Sequence, residues 1–188
     1  LQSGVQIPAS NVFAWQNDGP TEININGRNA MKNRIQYLKD KGFDHVRCGW
    51  RMNKKTVYQD SSNLSNHIGW YKECIDEALR VGLRVVLNPN HYWKQNDDDC
   101  YISSDDLVQL WETLDDAFKD YSTDKVVYEL MNEPRYNKAP YNNPPVDPNF
   151  RTWEKIMNNV HTRNPNRYII FCGFNFPTWS LRLTGGYR

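Results

Sequence analysis

The chain has 188 residues, with 23 basic and 22 acidic side chains and a formal net charge of +1 at pH 7. This balance argues against a nucleic-acid-binding protein, because such proteins usually carry a clear basic excess. Hydrophobic residues make up 39% of the chain, which supports a packed core, and no apolar run approaches the roughly 18 residues that a membrane-spanning helix needs. We therefore expect neither nucleic acid nor a membrane as a partner.

Short apolar segments recur at nearly constant spacing and predict the buried strands of a parallel sheet. A first strand is expected within residues 4–15, and the clearer segments that follow are 45–50, 84–88, 125–131 and 168–172. Between the segments, apolar residues repeat every three to four positions and predict amphipathic helices. The apolar faces of these helices run from Met31 to Leu38, Leu64 to Leu79, Leu107 to Tyr121 and Trp153 to Val160.

The connections between these elements differ in length. Gly42 and Gly82 stand just after two predicted helices, where a left-handed residue ends a helix, and each link from helix to strand is short. The links from strand to helix are long and span residues 51–63, 89–102 and 134–148. In a parallel β/α protein such loops share one face, where active sites are built. A doubly wound sheet and a (β/α)8 barrel both fit, although the glycine-rich phosphate-binding motifs of nucleotide-binding folds are missing from the sequence.

The cysteines say less about function than the strand and helix pattern says about the fold. The chain has four of them, without a Cys-x-x-Cys pair, and this argues against a zinc ribbon. Free thiols and one or two disulfide bonds are both compatible with their spacing. The four residues are Cys48, Cys74, Cys100 and Cys172.

The most distinctive motif lies at the end of the fourth predicted strand, 125–131, and reads VYELMNEPR. Side chains alternate along a strand, so Glu129, Met131 and Glu133 are predicted to point the same way, which is inward in a barrel. Pro134 cannot extend the ladder and is expected to end the strand. A carboxyl group at a strand tip, beside the amide of Asn132, is well placed for acid/base chemistry. The alternative is an ordinary polar turn.

This motif resembles glycoside hydrolase family 5, the cellulase and mannanase family of retaining (β/α)8 glycosidases. The segments GFDHVRCGWRM, GLRVVLNPNHYW and NPNRYIIFCGFNFPTW resemble the second, third and fifth strands of that barrel. The resemblance implies an incomplete barrel of about five strands, in which residues 1–188 form a single catalytic-type domain that is truncated at its C-terminal end. It also implies a metal-free mechanism without a cofactor.

The resemblance implies four catalytic residues. Glu133 would protonate the glycosidic oxygen and then activate water, and Asn132 would hydrogen-bond the 2-hydroxyl group of the sugar. Arg47 would orient the nucleophile and keep it ionised; a buried ion pair with Glu129 is an alternative or additional role. His91 would contact the sugar or the nucleophile, and Asn90 falls where many relatives have a first histidine.

Aromatic residues make up 13% of the chain, and several follow the predicted strands. Sugar rings stack on aromatic planes, so we expect two or more of these residues to line a substrate groove, although each is also a candidate for the core. The predicted substrate-binding residues are Trp15, Trp50, Asn90, Tyr92, Trp93, Tyr136 and Trp179.

A second carboxylate is harder to find. Retaining glycosidases need two carboxyl groups about 5–5.5 Å apart, and in this family the second ends strand seven. After Glu133 the chain offers only Asp147, in a proline-rich loop, and Glu154, on a predicted helix. We therefore expect the nucleophile to be missing, hydrolysis by these 188 residues to be slight, and the open barrel edges to favour self-association.

The expected activity is endo-acting cleavage of β-1,4 linkages in cellulose or another β-glucan, with a polysaccharide as the partner. A β-mannanase or xyloglucanase of the same family is the alternative substrate assignment, and a noncatalytic carbohydrate-binding remnant is the alternative function. The family resemblance also implies a secreted protein, although the first residues lack the charged and apolar leader of a signal peptide.

Overall fold

The structure is a computed structural model that describes residues 4–8, 14–16, 19–22, 25–53, 61–93, 104–131 and 148–171. Strands and helices alternate along these ranges. The strands are β1 (Gly4–Pro8), β2 (Ala14–Gln16), β3 (Gly19–Glu22), β4 (His45–Asn53), β5 (Arg84–Trp93), β6 (Val126–Glu129) and β7 (Ile169–Ile170). The helices are α1 (Ile25–Asp40), α2 (Ser61–Arg80), α3 (Ser104–Phe118) and α4 (Pro148–Arg163).

Five of the strands form one parallel sheet in the order β1-β4-β5-β6-β7. Val46 lies opposite Val5 on one side and Val85 on the other, and Val85 in turn lies opposite Val126. The strand order follows the chain order, whereas a doubly wound sheet reverses direction at a switch point. The fold is therefore α/β with a parallel sheet wound in one direction, as in part of a (β/α)8 barrel.

The main core lies between this sheet and the helices. Tyr71 and Ile75 of α2 and Trp111 of α3 are almost completely buried in it. The sheet contributes alternate residues of its strands, and full burial of each large apolar side chain contributes about 1.5–3 kcal/mol. These residues are Val46, Cys48, Val85, Leu87, Val126 and Tyr128, and Leu130 continues the pattern just past β6.

Two helices end as predicted, at glycines with a positive φ. Gly42 and Gly82 each have φ of 82°. After α1, the amide of Phe43 donates to the carbonyl of Leu38 at 3.1 Å, and after α2 the amide of Leu83 donates to Ala78 at 2.9 Å. These bonds define Schellman motifs, in which a residue without a Cβ adopts the left-handed conformation at the least cost.

The sheet strands and the helices confirm the predicted alternation, but several boundaries were wrong. The strands β4 and β5 continue to Asn53 and Trp93, so that residues 51–53 and 89–93 lie on strands rather than in loops. Trp50 and Asn90 to Trp93 are therefore strand residues. The ladder continues past Pro89 through a register shift between Trp50 and Met52, which accommodates a residue that lacks a backbone donor.

The N-terminal region also differs from the expectation of a single strand. Strands β2 and β3 form an antiparallel pair that was not predicted, with Trp15 opposite Pro20. Trp15 therefore lies within a strand instead of at or past a strand end. Within the described ranges, β6 ends at Glu129 rather than at Met131, and β7 contains only Ile169 and Ile170.

Candidate active site

An ion pair lies on the face of the sheet opposite the helices. Arg47 of β4 donates from Nε to Oε2 of Glu129 and from Nη2 to Oε1, both at 2.5 Å. The side chain of Glu129 is 8% exposed and that of Arg47 is 21% exposed. A two-point contact of this kind fixes the orientation of both groups as well as their separation.

The sheet register explains how Arg47 reaches Glu129 across the intervening strand β5. Arg47 lies opposite Val86, and Val86 lies opposite Val127, so these three residues form one row. Glu129 lies two residues beyond Val127 on β6, on the same face of the sheet. At the corresponding step on β4 stands Gly49, which lies opposite Asn88 of β5.

Asn88 is a buried polar residue on β5 beside this pair, with no exposed surface. Its side-chain Nδ2 donates to the backbone carbonyl of Glu129 at 3.3 Å. The backbone carbonyl of Asn88 accepts a hydrogen bond from the hydroxyl of Tyr71 at 2.7 Å. Among the described residues, Oδ1 of Asn88 has no hydrogen-bond partner. Asn88 and Tyr71 were not predicted, although a polar residue that follows the apolar run Val85–Leu87 is a signal that marks Asn88.

The end of β6 is anchored from the helix side. The indole Nε1 of Trp111 donates to the carbonyl of Leu130 at 2.8 Å, and its ring packs against that of Tyr128 at 5.2 Å between centroids. Leu130 also donates its amide to the carbonyl of Ile170 at 2.9 Å. The backbone that leads toward residue 133 therefore starts from a fixed position.

Arg47 is the one predicted site residue whose side chain the structure describes. The ion pair with Glu129, which was the alternative or additional role of Arg47, is confirmed, and its role toward a nucleophile stays a prediction. For Trp15, Trp50, Asn90, His91, Tyr92 and Trp93, the structure describes the backbone, on β2, β4 and β5. The remaining predicted residues, Asn132, Glu133, Tyr136 and Trp179, lie outside the described residues.

Within the described residues, His, Cys, Asp and Glu side chains form no group of three or more that could hold a metal ion. In that same part of the chain, every helix is too short or too polar to cross a bilayer.

A parallel sheet wound in one direction, with helices packed on one face, is the arrangement of a (β/α)8 barrel, a class of fold whose known active sites lie at the carboxyl ends of the strands. A sequence model of the cellulase family, glycosyl hydrolase family 5, matches residues 3–185. The chain belongs to this family.

Two relatives show how much of this chain, and how much of a related protein, the similarity covers. Endoglucanase A of Clostridium longisporum is 29% identical over 122 residues, which cover 60% of this chain and 22% of that protein. The cellulase/esterase CelE of Acetivibrio thermocellus is 27% identical over 136 residues, which cover 65% of this chain and 16% of that protein. The chain thus matches less than a quarter of the length of either relative.

Solved structures show the same fold. A hyperthermophilic endo-β-1,4-glucanase in complex with substrate is 26% identical with a TM-score of 0.60, and the match covers 77% of this chain and 44% of that one. Thermotoga maritima Cel5A in complex with mannotriose is 20% identical with a TM-score of 0.64, and the match covers 95% and 58%. The described sheet and helices therefore correspond to about half of a family 5 barrel.

Proposed function

We propose that this chain carries the acid/base half of a retaining, endo-acting β-1,4-glucanase site. The observation that carries the proposal is the Arg47–Glu129 ion pair, which keeps a guanidinium on the inner face of the sheet. Supporting evidence comes from relatives at 26–29% identity that are an endoglucanase, a cellulase/esterase and an endo-β-1,4-glucanase. Each of them is similar to this chain over only part of its length.

In the proposed mechanism, Glu133 donates a proton to the glycosidic oxygen and later takes one from water. Glu133 follows Glu129 by four residues, so an extended chain would return its side chain to the same side of the sheet. Asn132 hydrogen-bonds the sugar 2-hydroxyl, and His91 contacts the sugar or the nucleophile. Arg47 favours the ionised form of a nearby carboxylate through its positive charge.

The nucleophile in this proposal is not one of the 188 residues. Both oxygens of Glu129 accept hydrogen bonds from Arg47, which removes that carboxylate as an attacking group. Glu154 is exposed on α4, and its neighbours Trp153 and Ile156 are the residues that pack inward. We therefore propose that these residues bind oligosaccharides and hydrolyse them slightly or not at all.

The substrate proposal is cellulose or another β-1,4-glucan, bound by aromatic residues that follow the strands. Mannan and xyloglucan are the alternative substrates. Because such polymers are too large to enter a cell, we also propose that the protein acts outside the cell.

The test is calorimetric titration of the purified chain with cellotetraose, mannotetraose and a xyloglucan oligosaccharide, combined with a reducing-sugar assay on soluble β-glucan. We expect cellotetraose to bind most tightly, Asn132→Ala to weaken that binding, and no appreciable release of reducing sugar. Glu154→Gln is the matched control, because it neutralises an exposed carboxylate on α4, and it should bind like the parent chain.

The outcomes separate the parts of the proposal. Hydrolysis that disappears in Glu133→Gln would support the acid/base role and contradict the missing nucleophile. Tighter binding of mannotetraose or xyloglucan would replace the substrate assignment. Binding that is equal in the parent and in Asn132→Ala would favour a noncatalytic binding remnant, and failure to bind any of the three glycans would overturn the proposed function.

A further inference from the structure

Two cysteines meet in the core on the helix side of the sheet. Cys48 lies on β4 and Cys74 on α2, 26 residues later, and their sulfur atoms are 3.1 Å apart. Both side chains are buried, with relative exposures of 5% and 9%. Both are free thiols in the structure. The pair is separate from the Arg47–Glu129 site, because Cys48 faces the helices and Arg47 faces the other side of the sheet.

The surroundings hold the two sulfur atoms close together. Cys74 shares the inward face of α2 with the buried residues Tyr71, Ile75 and Ala78, and Cys48 alternates with Val46 on the helix side of β4. Bond formation requires the sulfur atoms to approach by roughly a further 1 Å, since a disulfide bond is about 2.05 Å long. We expect a small rotation of the two side chains to supply this shift.

We propose that Cys48 and Cys74 form a disulfide bond, which joins β4 to α2, when the chain folds in the presence of a low-molecular-weight disulfide such as oxidised glutathione. The thiolate of one cysteine attacks the glutathione disulfide and releases one glutathione thiolate. The second cysteine thiolate then attacks the mixed disulfide and releases the other. One S–S bond forms as one breaks, two cysteines are oxidised, and two glutathione thiolates take up the two protons.

The timing of this reaction follows from burial. A hydrogen bond to Cys74 and burial in the core raise the pKa of Cys48 well above its usual range. Because the thiolate is the reactive form, exchange is slow once the protein has folded and faster while the chain is still open. We therefore expect the bond to form during refolding, and to form slowly or not at all when oxidant is added to the folded, reduced protein.

The bond would stabilise the fold by restricting the unfolded chain. It closes a loop of 26 residues between β4 and α2. For a loop of this length and a domain of this size, the midpoint of thermal unfolding is expected to rise by about 10 °C over the reduced protein. The inference does not depend on the proposed glycanase function.

The experiment uses the full chain carrying Cys100→Ser and Cys172→Ser, which leaves this pair as its cysteines. After refolding with oxidised glutathione, we expect an intact mass lower by two hydrogen atoms. Iodoacetamide should not alkylate the unfolded, unreduced sample. The midpoint of thermal unfolding should fall after reduction. Adding Cys74→Ala to the same background is the control, and its melting midpoint should not respond to reduction.

Two results would overturn the proposal. One is that both thiols remain open to alkylation in the unfolded, unreduced sample after oxidative refolding. The other comes from peptide mapping of the unsubstituted chain, which serves if the double variant does not fold. A map of the oxidised, folded chain that contains Cys48 or Cys74 only as free thiols, or only in bonds to Cys100 or Cys172, would contradict the inference.

Discussion

The guanidinium of Arg47 and the carboxylate of Glu129 are joined at two points across the intervening strand β5, with both N–O distances at 2.5 Å. Their connection ties β4 to β6 on the inner face of the sheet. Most of the energetic effect of such a pair appears when one partner is removed, because the other is then a buried charge without compensation. The pair therefore makes the sheet sensitive to single substitutions at either position.

We expect Arg47→Met to lower the free energy of unfolding by about 3 kcal/mol, because it leaves the carboxylate of Glu129 buried without its cation. The double variant Arg47→Met with Glu129→Leu should recover most of this loss, since it removes both charges. Urea unfolding of the single and double variants measures the coupling between the two residues. A double variant that loses the sum of the two single losses would show that the pair is not coupled.

The two exposed glycines Gly82 and Gly69 should respond to alanine in opposite directions. At Gly82, φ is 82° and an added Cβ would lie 3.4 Å from Nζ of Lys39, so Gly82→Ala should cost about 1–2 kcal/mol. Gly69 is in the middle of α2 with no atom within 4 Å of an added Cβ. Gly69→Ala should therefore stabilise by about 0.5–1 kcal/mol. Thermal unfolding of both variants measures the two shifts, and a Gly82→Ala midpoint at or above that of the parent chain would contradict the assignment of Gly82 to a Schellman motif.

The parallel sheet and the helices were predictable from the sequence in part because strands β5 and β6 are buried on both faces. Val85, Val86 and Leu87 are all buried, and a strand of this kind appears in the sequence as an unbroken apolar run. The antiparallel pair of β2 and β3 was missed because its strands have only three and four residues, which is too short for an alternation pattern.

The candidate site was predictable in part because side chains alternate between the two faces of a strand. The alternation along VYELMNEPR placed Glu129 on the inner face, and this suggested its pairing with Arg47. The contacts of Asn88 with Glu129 and Tyr71 depend on the register between β5 and β6 and on the packing of α2, neither of which is present in a local pattern. The extension of β5 past Pro89 was missed because proline usually ends a ladder, and the register shift that follows Pro89 depends on the pairing of β5 with β4.

Asp115 should make stability depend on pH. Burial raises the pKa of this carboxyl group above its usual range, and the nearby cations Arg163 and Arg167 offset the effect only in part. The folded protein therefore holds a proton on Asp115 at pH values where the unfolded chain, with a pKa of about 3.9, has lost it. The stabilising effect of this proton is present at low pH and is lost as the pH rises from the unfolded pKa through the raised folded pKa.

The measurement is urea unfolding of the parent chain and of Asp115→Asn between pH 4 and pH 7. The stability of the parent chain minus that of Asp115→Asn should fall as the pH rises through this interval. Asp120→Asn removes a nearby exposed carboxylate and reports the effect of losing one charge by itself. A difference between the parent chain and Asp115→Asn that stays constant or rises with pH would contradict the expected direction.

Arg167 should be among the most sensitive positions outside the site, because its guanidinium is buried and bound to backbone carbonyls. Its Nη1 donates to Val126 and its Nη2 to Tyr121, both at 2.7 Å, and longer bonds reach Ser122 and Lys119. The group also lies 4.7 Å from the centre of the Tyr128 ring. These contacts fix the turn between α3 and β6.

Arg167→Met keeps much of the side-chain volume but leaves several carbonyls without a donor, so we expect a loss of about 2–4 kcal/mol in the free energy of unfolding. Arg167→Lys should recover only part of this loss, because an ammonium group cannot reproduce the planar set of donors. Arg151→Met, at an exposed position on α4, is the matched control and should stay within about 0.5 kcal/mol of the parent chain. Equal stability of Arg167→Met and Arg151→Met in urea would mean that water replaces the guanidinium without cost, contrary to the burial of this residue.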